Sequence, residues 1–105
     1  MKELTKSFFK FVERLEEEGL DLKAFKVLIV IAQNEGEGVL KLAEKGNITR
    51  SVFSRYVGVL SGGVPKVIPP AKALVRTKPI DHKTKALSLT DRGKALIKEL
   101  AAYMD

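Results

Sequence analysis

Four cations, Arg76, Lys78, Lys83 and Lys85, sit close together around a short Pro79-Ile80-Asp81-His82 centre, with only Asp81 among them to pair with. Cations with so few partners hold a polyanion, and phosphate is the commonest one. A second group lies upstream: Arg50, Ser51, Ser54 and Arg55. Small hydroxyls hydrogen-bond bases or phosphates at close approach, and an arginine pairs bidentately with guanine. Other chemistry is poorly supplied. Without cysteine there is no disulfide, thiolate metal site or thiol redox sensor. His82 is the single histidine and reads as a neutral residue at a loop tip, with no catalytic or metal role. Glu16, Glu17 and Glu18 are consecutive, so they do not converge on one helix face and read as a solvated helix end. No Gly-rich phosphate loop is present, and an enzyme would lack its usual site requirements.

The net charge of +6 is unevenly divided. Residues 1–37 sum to −2, residues 38–94 to +9 and residues 95–105 to −1. A basic middle on an otherwise balanced body suggests a polyanion-binding face; the bland alternative is a basic surface that only aids solubility. At 105 residues, with 45% hydrophobic and 30% charged residues, the chain suits one soluble domain spanning residues 1–105. The longest apolar run, Val27 to Ala32, is six residues, far short of a membrane span. Glu3, Lys6, Lys10 and Glu13 interrupt the apolar positions of the N-terminus, so no secretory signal is expected there, and a cytoplasmic location fits.

The elements that must position these groups follow from periodicity. Leu4, Phe8, Phe11, Val12 and Leu15, with Phe9 beside them, have helical spacing over Lys2–Glu18, stopped by Gly19. This Phe-rich stripe is either core or a dimer seam. Asp21 is the expected N-cap of a second helix, apolar on nearly all sides, which ends near Gln33 to Gly36. Val39–Lys45 predicts a helix of about two turns closed by Gly46-Asn47. Asn47 or Thr49 starts the next, which runs to Leu60 and turns Phe53, Val57 and Leu60 inward. Ser51, Ser54, Arg55 and Gly58 face the other way, with Arg50 at the edge. Two short helices joined by a tight turn predict a helix-turn-helix over about residues 38–61.

Residues 61–73, with Gly62-Gly63 and three prolines, break the helix; Val64, Val67 and Ile68 either extend the following sheet or lay a loop on the core. Residues 74–90 read as a β-hairpin with a charged tip. Thr90 then caps a terminal helix over residues 90–104, with Leu96, Ile97 and Leu100 on its apolar side.

The string Leu74-Val75-Arg76, then Asp81-x-Lys83, then Leu87-Ser88-Leu89-Thr90-Asp91-Arg92-Gly93-Lys94-Ala95-Leu96 resembles the wing and following helix of MarR-type (multiple antibiotic resistance regulator) winged-helix repressors. The likeness extends upstream, less sharply, through Leu42-Ala43-Glu44 to Leu60. It implies an α+β winged helix-turn-helix that binds double-stranded DNA as a homodimeric transcriptional repressor. Arg50, Ser51, Ser54 and Arg55 would read the major groove, and Arg76, Lys78, Lys83 and Lys85 would form the wing's DNA contacts. Asp81 matches the aspartate that braces the tip by pairing with cations, and Lys83 stands where the family has a minor-groove arginine. First and last helices interlock in the family's dimer, which points to Phe8, Phe11, Leu15, Leu96 and Leu100. The insertion at 61–73 departs from the family pattern, in which the reading helix passes almost directly into the wing. A small-molecule effector is an open question, since no polar cluster in the sequence demands one; no cofactor, metal or membrane is expected. The alternative is a winged helix used as a protein-interaction or nucleoprotein-assembly module, such as a plasmid or phage accessory factor.

Overall fold

The computed structural model describes residues 2–81 and 84–104. Helix α1 spans Lys2–Glu17, α2 Leu22–Gln33, α3 Val39–Lys45, α4 Arg50–Leu60 and α5 Asp91–Ala102, with strands β1 Val75–Pro79 and β2 Lys85–Leu89 between α4 and α5. Side chains cap the starts of α2, α4 and α5. Asp21 accepts from the Ala24 N–H at 2.7 Å, and Thr90 from the Gly93 N–H at 3.0 Å. Thr49, rather than Asn47, caps α4, because Asn47 takes the left-handed conformation (φ 54°) that ends the α3 turn.

Helix α2 is the centre of the domain. Val27, Leu28 and Ile31 have no exposed surface and meet Leu42 of α3, Phe53 and Leu60 of α4, and Leu87 of β2 in one core. Its largely apolar composition, with Lys23 and Lys26 near its start, is what such a central helix needs. Leu15, Leu96 and Leu100 complete this core from α1 and α5. An ion network ties the same two helices on the surface: Arg14 bonds Glu99 at 2.6 Å and Glu18 at 3.2 Å, while Arg92 reaches Glu18 at 2.8 Å.

The sheet is a two-stranded antiparallel hairpin with Val75 opposite Leu89 and Lys78 opposite Ala86. A single bridge from Gly38 to Ala86 adds the rudiment of a third strand. Around it, the Gly36 N–H donates to Leu87 O at 2.8 Å, the Leu87 N–H to Glu37 O at 3.0 Å, and the Leu89 N–H to the Glu35 carboxylate at 2.8 Å. The turn between α2 and α3 thus clamps β2 and sets the angle of the hairpin.

The segment 61–73 lays itself on the core rather than extending the sheet. Ile68 is buried, Pro70–Lys72 forms one 3-10 turn, and Gly62 adopts φ +85° against Pro70. Its two ends meet, since the Leu74 N–H donates to Leu60 O at 2.8 Å. It is a closed loop folded back at a short helix-to-strand junction, so β1 begins close to where α4 stops. The glycine in Leu89-Thr90-Asp91-Arg92-Gly93 has a steric reason: a Cβ there would run into the Leu74 carbonyl oxygen.

Candidate nucleic-acid interface

Helix α4 buries Phe53, Val57 and Leu60 and leaves Arg50, Ser51, Ser54 and Arg55 exposed. The sequence spacing sorted these faces correctly, because one side of α4 must seal the core. Arg55 lies with its guanidinium carbon 5.3 Å from the Tyr56 ring centroid. Tyr56 in turn donates its hydroxyl to Asp21 at 3.2 Å. Stacking on an anchored ring restricts the arginine fork while leaving it in solvent.

The hairpin stands beside this helix. Residues directly opposite in the register share a sheet face, so Arg76, Lys78, Ala86 and Ser88 form one face, and Val75, Thr77, Pro79, Lys85, Leu87 and Leu89 the other. The second face turns Val75, Leu87 and Leu89 into the core and carries Lys85 at its outer end. Arg76 and Lys78 therefore lie on the opposite face from Lys85, and Arg76 bonds Ser88 across the strands at 3.2 Å. The tip turn is built by backbone bonds: Ile80 N–H to Thr84 O at 2.8 Å, and Thr84 N–H to the Asp81 carboxylate at 2.9 Å. Asp81 thus braces the tip through a main-chain amide. His82 and Lys83 lie outside the described residues.

Between α4 and the wing runs a groove of about 730 Å³. Arg50 and Ser54 line it from α4, Lys41 from α3, and Thr84 and Lys85 from the hairpin. The structure thus brings two of the four predicted α4 residues to the same groove as one predicted wing cation; Ser51 and Arg55 lie outside its lining. Lys41 was missed by the sequence reading, because nothing in a local pattern shows that α3 borders the wing. Ile80 was missed too, although an isoleucine inside a charged turn was its signal.

The predicted dimer residues divide. Phe8 is 44% exposed, and Phe11 is half-buried with its ring edge-on to Phe25 at 5.3 Å. Leu15, Leu96 and Leu100 are at most 5% exposed and pack within the single chain, leaving little of their surface for a partner.

No protein-family model matches the chain, and no curated protein does. Solved structures do. A MarR-family transcriptional regulator from Silicibacter pomeroyi superposes with a TM-score of 0.67 at 19% identity, over 98% of this chain and 64% of that one. The transcriptional repressor CouR, solved bound to a DNA duplex, gives 0.68 at 23% identity over 94% of this chain and 65% of that one. The fold is a MarR-type winged helix. NadR, solved with 4-hydroxyphenylacetate, agrees at 0.69 and 20% identity over 96% of this chain and 67% of that one. The present chain spans less than two thirds of the length of the first two.

Among the described residues, no group of His, Asp or Glu is placed to hold a metal, and no helix is long and apolar enough to cross a membrane.

Proposed function

We propose that this chain is a sequence-specific duplex-DNA-binding transcriptional regulator, a repressor that acts as a homodimer. The observation that carries this reading is the groove that Arg50 and Ser54 of α4 share with Lys85 of the wing, within a MarR-type fold. Arg50, Ser51, Ser54 and Arg55 enter the major groove, while Lys83 and Lys85, helped by Arg76 and Lys78, hold the adjacent minor groove and phosphates. The net charge of +9 over residues 38–94 supplies the long-range attraction. CouR, with the same fold, was solved on DNA. The similar structures are transcriptional regulators, which supports a non-enzymatic role.

Exposed apolar surface on α1 supports the dimer: Leu4, Phe8, Phe9 and Val12 are each 44–65% exposed on one helix. A two-fold pairing is the commonest way to cover such a face. Support for an effector is thinner. NadR was solved with 4-hydroxyphenylacetate, and DNA binding by BpsR of Bordetella bronchiseptica is regulated by 6-hydroxynicotinic acid. Here the cavity between α1, α2 and α5 is about 230 Å³ and lined by apolar side chains, including Phe11, Phe25 and Ile97, with no polar group to orient a ligand.

Selection of bound sequences from a random duplex pool tests the function. The expected result is a two-fold-symmetric consensus bound more tightly than random duplex, with affinity that falls steeply as salt rises. A chain that enriches no sequence and binds no duplex at low salt would not be a DNA regulator. The interaction-module reading draws on exposed Val64 and Val67 in the 61–73 loop, and a protein partner captured without DNA affinity would put it ahead.

A further inference from the structure

The groove between α4 and the wing is not an electrostatic funnel. Lys41, Arg50 and Lys85 line it, but so do Glu37, Glu44 and Asp81, and Lys41 lies 3.8 Å from Glu37. Cations and carboxylates balance there, so charge alone does not explain what the groove would hold. Its unusual feature is apolar. Leu40 on α3 is 59% exposed, Ile80 at the wing tip is 60% exposed, and both line this groove.

Geometry says what would come between them, given the DNA-binding reading on which this inference rests. A helix in the major groove and a wing in the neighbouring minor groove are separated by one sugar–phosphate strand. The groove between the two elements receives that strand, and the wing tip meets the minor-groove edge of the bases. Ile80 is held there by a turn with its N–H bonded to Thr84 O at 2.8 Å, so it arrives pre-positioned. The minor-groove floor is smooth over A·T pairs, but each guanine projects its N2 amino group into it. An isoleucine offers that amino group no acceptor and would bury it unpaired.

The geometry points to Ile80 as a specificity-determining residue: an apolar minor-groove contact by which the wing discriminates against guanine through its N2 amino group. Leu40, on the opposite wall, packs on the sugar faces of the same strand and reads nothing.

Inosine tests this, because an inosine–cytosine duplex lacks the N2 amino group and keeps the major-groove pattern of guanine–cytosine. Full-length chain is titrated by fluorescence anisotropy against alternating inosine–cytosine and guanine–cytosine duplexes of equal length. The wild-type protein is expected to bind the inosine duplex about fivefold more tightly, the scale of one buried methylene group. Ile80→Ala loses that preference, whereas the more conservative Ile80→Val keeps most of it. Leu40→Ala weakens both duplexes alike and keeps the ratio. Equal wild-type affinity for the two duplexes overturns the inference, as does an unchanged ratio in Ile80→Ala with an unaltered circular-dichroism melt. Wild-type protein that binds neither duplex at low salt overturns the DNA-binding reading itself, an outcome distinct from either.

Discussion

Arg55 and the wing lysines would meet a duplex through different physics. Arg55 is exposed and stacked near Tyr56, and in the proposed interface it would discriminate bases. Arg55→Ala is expected to cost about 1–3 kcal/mol on a selected site and much less on random duplex. Lys83→Ala should weaken selected and random duplex to similar extents and lower the steepness of the salt dependence by about one unit. Lys85→Ala should do the same, since Lys85 lines the groove; Lys78→Ala, from the other sheet face, should change the slope less. Titrations of these variants against both duplexes at several salt concentrations separate the two roles. An unchanged salt slope in both Lys83→Ala and Lys85→Ala would mean that the hairpin is not a DNA wing.

At the scale of elements, the wing's placement depends on how closely α5 and β1 approach. The Thr90 N–H donates to Leu74 O at 3.0 Å, its hydroxyl donates to Ala73 O at 2.7 Å, and the same oxygen accepts from the Gly93 N–H. Thr90→Ala should therefore cost about 1–2 kcal/mol, the upper part of the range for a helix cap. Gly93→Ala should cost about 1–3 kcal/mol, because a methyl group directed at the Leu74 carbonyl forces α5 off the strand. Urea unfolding should show lower midpoints with an unchanged m-value. A Gly93→Ala protein as stable as wild type would disprove the close approach.

For the whole molecule, the notable quantity is the uncovered apolar face. The chain measures 51 × 27 × 22 Å, and Leu15 is the only α1 residue buried. Leu4, Phe8, Phe9 and Val12 stand in solvent in the single chain. Sedimentation at tens of micromolar should show a homodimer, in which the two α4 helices would need to lie about 34–36 Å apart to match one turn of B-DNA. Replacing Phe8 and Phe9 together with serine should give a monomer with a nearly unchanged melt, because neither ring belongs to the core. Leu100→Ala should instead cost about 2–5 kcal/mol of stability, since Leu100 is 2% exposed within one chain. Wild-type protein that sediments only as a monomer would remove the dimer from the proposal.

Periodicity, capping residues and the charged hairpin made most of the elements legible in the sequence alone. Each rests on local rules: the spacing that divides α4 into a buried and a polar face, the cap at Thr90, the turn at Gly46-Asn47. Membership of one groove is not local. That Lys85 and Ile80 border α4, that Lys41 joins them from α3, and that Glu35 clamps β2 depend on contacts between residues tens of positions apart. The closed loop at 61–73 and the burial of Leu15, Leu96 and Leu100 are of the same kind. An apolar stripe looks the same in sequence whether its own chain covers it or leaves it bare. Only the packing of the other helices decides that, because burial is set by what lies opposite.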